Sequence, residues 1–308
     1  MSASAPDEIP FDRSLDAARA GELRCLTPLV RRLIAPNGGP FTFTGTCSYI
    51  VGAGHVAIID PGPENPAHLA ALLEAVRGET VAHIVITHTH RDHSPGARAL
   101  KAATGAPIVG CAPHVAARAL ALGEIAVLDA ANDLDYAPDH VLADGERLAG
   151  DGFTLTALAT PGHTMNHLAF ALAQENSLFS GDHVMAWSTS IVAPPDGAMG
   201  AYMHSLERLR GRGETTYWPG HGGPVRDPAR FVRALAAHRR QREGAIARCV
   251  SAGEETITRI VDKIYDGLAP ALKGAAALSV FAHLEDLVAR GVVTADGPPT
   301  LQARYRPA

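Results

Sequence analysis

The stretch Thr87-His88-Thr89-His90-Arg91-Asp92-His93 is the part of the sequence from which the fold can be inferred. It follows an apolar run and places four potential metal ligands within six residues, in the spacing H-x-H-x-D-H. Side chains two residues apart share a face of extended backbone, so His88 and His90 can point the same way. Asp92 and His93 stand where a helix could begin and could reach a second ion. The stretch therefore predicts a strand followed by a loop that holds parts of two metal sites.

Three further segments each put a His or an Asp among Gly and Pro, directly after a predicted strand. They are Pro161-Gly162-His163-Thr164, Ser180-Gly181-Asp182-His183 and Pro219-Gly220-His221-Gly222-Gly223-Pro224. Gly and Pro fix tight turns, and loops at a sheet edge often carry chemistry. Singly, each segment is typical of an ordinary turn. Together with the first stretch they supply five His and two Asp, a complete set for two adjacent ions.

The types of ligand atom narrow the choice of metal to a few ions but do not identify one. Imidazole and carboxylate without thiolate suit zinc, iron or manganese, and donor softness does not choose among the three. We predict two zinc ions, with iron and manganese as alternatives. The four cysteines (Cys25, Cys47, Cys111 and Cys249) lack C-x-x-C spacing, which argues against a thiolate zinc site or a disulfide framework.

Composition limits the class of protein. The chain has 308 residues, 46% of them hydrophobic, which is ample for a globular core. Its net charge of −5 gives no global basic field for nucleic acid or a membrane surface. The acidic N-terminal stretch has no apolar core of a signal peptide, and no run of 18 apolar residues is present. We therefore expect a soluble, cytoplasmic protein with no membrane partner.

The order of predicted elements indicates a layered α/β domain. Two strand-rich halves, each with helices, favour two sheets packed face to face with helices outside. Predicted strands include 41–44 and 141–148, and predicted helices include 115–122. We assign residues 1–22 to a loosely ordered leader and residues 23–250 to this domain.

Residues 251–308 form a separate predicted unit. Beyond Gly253 the pattern is a helix over 254–267, a second helix over 278–290 and an extended tail, which suggests a small winged-helix module. This unit has six basic and seven acidic residues. A module that reads DNA carries a basic footprint, so we favour packing over the active-site mouth or against a partner subunit. A homo-oligomer is left open.

The four ligand-bearing segments, in this order, resemble the metallo-β-lactamase superfamily over about residues 25–250. The resemblance implies an α/β fold, the four-layer αββα sandwich, and a site with two ions. It implies that His88, His90 and His163 bind the first ion, that Asp92, His93 and His221 bind the second, and that Asp182 bridges them. Asp60, in an Asp-Pro-Gly turn, resembles a residue that supports the ligands from behind, and a plain turn former is the alternative.

The resemblance also implies a mechanism. A hydroxide bridging two ions is a nucleophile at neutral pH, because coordination lowers the pKa of bound water to about 7. Asp92 would orient or deprotonate that water, and the reaction would be hydrolysis. True β-lactamases of the superfamily lack this bridging-Asp pattern, and flavodiiron-type reductases carry Glu at the position of His90. Antibiotic hydrolysis and a redox role are therefore not expected.

Two later motifs narrow the resemblance to the β-lactamase-like protein 2 group. They are Tyr202-Met203-x-Ser205-Leu206 and His238-Arg239-x-x-Arg242-Glu243, and the C-terminal winged-helix-like unit agrees with them. That group includes endoribonucleases acting on single-stranded RNA, fungal thioesterases and enzymes of unassigned substrate. One departure is His183, which either faces the site or packs.

We predict a dinuclear metal-dependent hydrolase that acts on an ester, thioester or lactone of a small metabolite. The alternative is a phosphodiesterase or endoribonuclease acting on single-stranded RNA, since residues 207–248 hold ten Arg and four acids. The alternative from another class is a nucleic-acid-binding regulator with a structural metal site. Residues 187–200 form a predicted loop at the substrate pocket, for which we propose Ser188, Ser190 and Tyr202 as contacts.

Overall fold

The computed structural model describes residues 8–14, 19–120 and 131–308. Its strands are β1 (Arg24–Cys25), β2 (Val30–Ile34), β3 (Cys47–Val51), β4 (His55–Ile59), β5 (Thr80–Ile86), β6 (Ile108–Gly110), β7 (His140–Val141), β8 (Arg147–Gly150), β9 (Phe153–Ala159), β10 (Leu168–Leu172), β11 (Ser177–Gly181), β12 (Thr216–Pro219), β13 (Val293–Ala295) and β14 (Tyr305–Pro307). Its helices are α1 (Pro66–Ala75), α2 (Gly96–Thr104), α3 (Met199–Arg210), α4 (Pro228–Ser251), α5 (Ile257–Ile264) and α6 (Lys273–Ala289).

Two sheets make up the main domain. The first has the order β1-β2-β3-β4-β5-β6-β7, antiparallel up to β4 and parallel from β4 onward. The second has the order β12-β11-β10-β9-β8, in which only the pair β11 and β12 is parallel. The parallel strand β5 is a nearly continuous apolar run, as expected for a strand covered on both faces.

Buried side chains lie between the layers. Ile50 and Ile58 of the first sheet share one core with Leu155 and Phe170 of the second, so the sheets pack face to face. Helices α1 and α2 lie on the outside of the first sheet. Helices α3 and α4 cover the second sheet through a core that includes Tyr202. The prediction of an αββα sandwich is confirmed.

The C-terminal unit has its own core and stays attached to the long helix α4. Ile246 of α4 packs with Ile260 of α5 and Phe281 of α6. Strands β13 and β14 pair as an antiparallel hairpin, which forms the wing. The predicted winged-helix-like arrangement is therefore confirmed, although α6 begins at Lys273 rather than at 278 because the Ala-rich segment before Leu278 favours helix.

Three local predictions were wrong. Residues 41–44 form a turn rather than a strand, with Phe43 in the left-handed region at φ 54°. The predicted strand 141–148 is split into β7 and β8, which belong to different sheets, because a turn with Gly145 at φ 82° separates them. Residues 115–120 are not helical, since the Ala117 amide donates to Pro195 O instead of to a helical carbonyl. Residues 121–122 of that predicted helix lie outside the described residues.

The predicted leader is described only in part, since residues 1–7 and 15–18 lie outside the described ranges. Ile9 is buried in the core of α3 and α4, and the Phe11 ring meets the Phe231 ring edge-on at 6.1 Å between centroids. Residues 8–14 therefore pack along α4. Among the described helices, none combines the length and the apolarity that a bilayer crossing requires.

Candidate metal centre

The ligand-bearing segments meet because of how their strands run. Strands β9, β11 and β12 point the same way in the second sheet, since β10 is antiparallel to both β9 and β11 while β12 is parallel to β11. Their carboxyl ends therefore lie at one edge, where His163, Asp182 and His221 follow. Strand β5 delivers residues 88–93 to the same place, where an isolated bridge joins Thr46 to His221.

One group of donor atoms consists of three imidazoles and a carboxylate. Both His88 Nε2 and His163 Nε2 lie close to His90 Nδ1, at 3.1 Å and 3.0 Å. Asp182 Oδ2 lies 3.7 Å from His163 Nε2. The ligand atoms of all four residues are within 4.8 Å of one another.

A second group lies beside the first. His221 Nε2 is 3.3 Å from His93 Nε2 and 3.1 Å from Asp92 Oδ2. Asp182 reaches this group too, with Oδ1 at 3.6 Å from His93 Nε2 and Oδ2 at 3.4 Å from His221 Nε2. Asp182 is thus the carboxylate common to both groups.

These separations fit metal ions. Ligand atoms held about 2.1 Å from a tetrahedral ion stand roughly 3.4 Å apart, close to the spacings found here. A contact between two ring nitrogens can share at most one proton, so His90 Nδ1 cannot satisfy both of its neighbours by hydrogen bonding. Asp182 Oδ1 is buried without a hydrogen-bond partner among the described residues. A cation in each group would satisfy all of these atoms.

The opposite ring nitrogens are held by partners behind the centre. Asp60 accepts from His93 Nδ1 at 2.9 Å, and from the Thr87 amide and hydroxyl at 2.9 Å and 2.7 Å. Because the Thr87 hydroxyl donates to Asp60, it accepts from His88 Nδ1 at 3.0 Å. Asp60 therefore holds the His93 ring from behind, and a proton on Nδ1 leaves His93 Nε2 facing the other donor atoms.

Backbone carbonyls do the same for two other imidazoles. His163 Nδ1 donates to Ile191 O at 2.6 Å, and His221 Nδ1 donates to Gly45 O at 3.3 Å. In each case the Nε2 atom faces the centre. Four of the five imidazoles are thus oriented through Nδ1, whereas His90 presents Nδ1 itself.

The two groups differ in charge. Burial lowers the pKa of His88 well below its usual value, and burial with the neighbouring His163 lowers that of His90 to about 3. Burial also acts to lower the pKa of His93 and His221, but Asp92 and Asp182 outweigh it and raise that of His221 to about 10. The carboxylates thus favour cations in the second group.

Two glycines allow the turns to approach this closely. A Cβ on Gly220 would lie 2.4 Å from Asp182 Oδ1 and 2.7 Å from His93 Cε1. Gly162 adopts φ 141°, and a Cβ there would lie 2.3 Å from the Tyr202 Cα atom. Each Pro-Gly-His segment needs its glycine because the turn lies directly against its neighbours.

The predicted pocket contacts are not equally accessible. Ser188 is half-buried. Ser190 is 3% exposed and Tyr202 is fully buried, and the Tyr202 hydroxyl donates to His183 O at 3.0 Å. His183 is also fully buried, with its ring centroid 4.5 Å from that of Tyr202. Ser190, Tyr202 and His183 therefore pack behind the centre.

Sequence reasoning missed several supports. His167 Nε2 accepts from the Asp182 amide at 3.1 Å while its Nδ1 contacts Thr160 Oγ1 at 2.8 Å. The Thr46 hydroxyl donates to Asp92 Oδ2 at 3.1 Å. The short spacing between His163 and His167 was a sequence signal for the role of His167. Nothing near Thr46 in the sequence indicates its contact with Asp92.

Comparison with known proteins relates the two parts of the chain to known families. A family model described as the metallo-beta-lactamase superfamily matches residues 41–221. A second model, the beta-lactamase associated winged helix domain, matches residues 256–298.

Curated relatives match most of the chain. A beta-lactamase-like protein 2 homolog of Caenorhabditis elegans is 31% identical, covering 87% of this chain and 87% of its own length. An atrochrysone carboxyl ACP thioesterase of Aspergillus aculeatus is 30% identical over 72% of this chain and 65% of its own length. An atrochrysone carboxyl ACP thioesterase of Aspergillus terreus is 28% identical over 80% and 75%.

Solved structures share the fold. A beta-lactamase domain protein from Burkholderia ambifaria has a TM-score of 0.79 at 20% identity, with 99% of both chains covered. A metallo-beta-lactamase family protein from Thermus thermophilus has a TM-score of 0.73 at 26% identity, covering 92% of this chain and 100% of that one. This chain therefore belongs to the metallo-β-lactamase superfamily, carries its associated winged-helix domain, and is a metal-dependent hydrolase of that superfamily.

Proposed function

We propose that this chain is a dinuclear hydrolase that cleaves thioesters or esters of small metabolites. The observation that carries the proposal is the pair of donor groups joined by Asp182, at ligand-atom separations of 3.0 to 3.7 Å. A structural zinc site closes with four fixed ligands, frequently thiolates, whereas this centre has seven His and Asp donors around two adjacent positions. This favours catalysis over the alternative of a regulator with a structural metal.

The residues that would hold the ions are those predicted from the sequence. His88, His90 and His163 would bind one, Asp92, His93 and His221 the other, and Asp182 would bind both. Two divalent ions held by these residues would supply a Lewis acid for the carbonyl oxygen and would lower the pKa of a bound water to about 7. Zinc fits the donor set, as do iron and manganese.

Among the carboxylates, Asp92 is the one accessible to a water. Its side chain is 27% exposed, compared with 9% for Asp182. Burial acts to raise the pKa of Asp92, but His93 and His221 hold it well below its usual value. Asp92 therefore stays ionised, and its partly exposed side chain can accept a hydrogen bond from a water and orient that water for attack.

An aromatic pair beside the centre supports an apolar acyl group. The Phe43 and Trp187 rings stack at 5.0 Å between centroids and an interplanar angle of 11°, and both are half-buried. They lie against Gly222, the residue after His221, because a Cβ there would meet Trp187 Cδ1 at 2.9 Å. The names of the two Aspergillus relatives, both thioesterases, favour a thioester within this class.

RNA is the less favoured substrate. The Arg-rich segment 207–248 is partly neutralised, since Arg208 pairs with Asp144 at 3.0 Å and Arg240 pairs with Glu207. Arg212 likewise pairs with Glu214. Paired guanidinium groups offer less charge to a phosphate backbone than the sequence count of ten arginines suggests.

The test is a substrate panel on zinc-loaded protein. We expect turnover of a simple acyl thioester and of a p-nitrophenyl ester, with weaker turnover of a lactone, bis-p-nitrophenyl phosphate and single-stranded RNA. His90→Ala and Asp182→Ala should reduce every activity to background, because each removes a donor atom from the centre.

Matched controls are available on the surface. His140→Ala and Asp151→Ala remove an exposed imidazole and an exposed carboxylate that belong to neither donor group, and both should retain wild-type rates. Wild-type protein that carries two ions yet cleaves no member of the panel would contradict the proposal. Selective cleavage of RNA would contradict the proposed ester or thioester substrate but would leave the proposed two-ion centre intact.

A further inference from the structure

Residues Ser190 and Ile191 contact two of the proposed ligands from behind. Ile191 O accepts from His163 Nδ1 at 2.6 Å. The Ser190 hydroxyl donates to Asp182 O and lies 3.1 Å from His183 O. The position of these two loop residues therefore sets the orientation of His163 and the backbone of Asp182, which are the donors on either side of the proposed first ion.

The loop is itself held by Arg239 of α4. This guanidinium is 3% exposed, and one of its Nη atoms donates to Ser190 O. The other Nη atom donates to Ser279 Oγ at 3.4 Å, and the guanidinium carbon lies 5.1 Å from the centre of the Tyr202 ring. None of these three partners carries a negative charge, so the contacts consist of hydrogen bonds and a cation–π interaction.

The partner Ser279 belongs to the C-terminal unit. It lies in α6, whose Ala282 packs in the same core as Tyr202. A second contact holds α6 on the main domain, since Arg118 pairs with Glu285 at 2.6 Å and lies over the Phe281 ring. Arg239 therefore connects three parts of the molecule: the winged-helix unit, the loop and the layer of α3.

We propose that Arg239 is a positioning residue through which the docked C-terminal unit fixes His163 and Asp182 for metal binding. The inference rests on the proposed metal centre and adds a role for the winged-helix unit in building it. A buried guanidinium is planar and offers several fixed donors, so it can hold Ser190 and Ser279 together where a Lys amine could not hold both equally well. Supports of this kind behind a ligand are worth 10- to 100-fold in metal affinity.

The experiment measures metal affinity of the full chain rather than activity. Apo protein is titrated with Co²⁺ and with Zn²⁺ in competition with a chromophoric chelator, and stoichiometry is checked by elemental analysis. Arg239→Met should weaken the ion that depends on His163 by about 10- to 100-fold. Arg239→Lys should lie between it and wild type, since the charge is kept and one partner can still be reached.

The neighbouring Arg240→Met is the matched control. Arg240 is exposed and pairs with Glu207 on the surface, so its loss should leave both affinities unchanged. Folded Arg239→Met protein with wild-type affinity for both ions would overturn the proposal, because a purely structural role lowers stability without changing the affinity of the folded state. Wild-type protein that binds no ion would instead contradict the proposed function.

A second variant decides the case in which Arg239→Met does not fold. Ser190→Ala deletes only the hydroxyl that holds Asp182 O, and it should weaken the same ion by about 10-fold. Unchanged affinity in Ser190→Ala would overturn the proposal. Ser279→Ala, which removes the α6 partner, should reproduce a smaller part of the effect.

Discussion

Two clusters of histidines adjoin at the neighbouring residues Asp182 and His183 and differ in what surrounds them. One is the candidate metal centre. The other, here called the Arg239 cluster, consists of His183, His238, Arg239 and His283. Both contain buried imidazoles, and in both the pKa values of imidazoles are strongly shifted.

The carboxylates of the candidate centre separate the clusters, because only beside them are imidazole pKa values raised. In the centre, carboxylates raise the pKa of His221 to about 10 against the effect of burial. In the Arg239 cluster, burial and then the charge of Arg239 lower the pKa of His283 to about 3. Neither ring nitrogen of His183 or His283 has a hydrogen-bond partner among the described residues. Burial of histidine does not make a metal site; converging nitrogens and shared carboxylates do.

The largest test of this comparison is the number of ions bound. His90→Ala should bind at most one ion per chain and lose hydrolysis to background, whereas His283→Leu should bind two ions and keep its rate. The physical reason is that His90 Nδ1 lies within 3.1 Å of ring nitrogens of His88 and His163, while neither ring nitrogen of His283 has a hydrogen-bond partner among the described residues. Elemental analysis of purified protein measures the count, and removal of the ions by a chelator should abolish activity reversibly in wild type. Two ions in His90→Ala would break the comparison.

A smaller effect is expected from the residue behind the centre. Asp60→Asn keeps the shape of the side chain but loses the charge that accepts from Thr87 and His93. Affinity for the ion at His93 should fall by about 10- to 100-fold, measured by chelator competition. Asp144→Asn is the control, since that exposed carboxylate also accepts from a backbone amide and lies outside the centre. Equal affinities in Asp60→Asn and wild type would leave Asp60 as a turn former only.

The convergence of the His and Asp side chains could be predicted from the sequence because their signals are local. Each of the four segments joins a strand to a Gly- or Pro-rich turn, and the strand order then brings the turns to one edge. The αββα layers followed from the two strand-rich halves. Local pattern was sufficient wherever the feature was built within a strand and the turn that follows it.

The contacts that hold the imidazole rings from behind could not be predicted, because they join residues far apart in the sequence and many use backbone atoms. Ile191 O and Gly45 O hold His163 and His221, and a carbonyl has no residue type that a motif could reveal. Ser190 was predicted to contact substrate, yet the fold turns it inward onto Asp182 O. Arg239 belongs to a motif recognised in the sequence, but its partners Ser190 and Ser279 are 49 and 40 residues away.

The smallest expected effect concerns the stability of the Arg239 cluster. His283→Leu replaces a buried imidazole that has two unpartnered nitrogens, so it should raise the free energy of unfolding by about 1 kcal/mol at pH 7. The gain should increase in acid. The folded-state pKa of His283 is lowered to about 3, so between the unfolded value of 6.5 and that value only the unfolded state takes up the proton. The wild-type protein therefore loses stability as the pH falls from 6.5 toward 3, whereas the Leu variant does not lose it.

Urea unfolding of both proteins at pH 7 and pH 5 measures the difference. The difference in unfolding free energy between the two proteins should widen by about 2 kcal/mol on going from pH 7 to pH 5. A proton taken up by the unfolded state alone costs about 1.4 kcal/mol for each pH unit below the unfolded pKa of 6.5. Ligand imidazoles titrate in both proteins and cancel in the difference. His204→Leu, at an exposed position of α3, controls for the loss of any histidine. A gap that is the same at both pH values would mean that His283 is already paired or protonated in the folded state, and the contrast between the two clusters would then rest on the carboxylates alone.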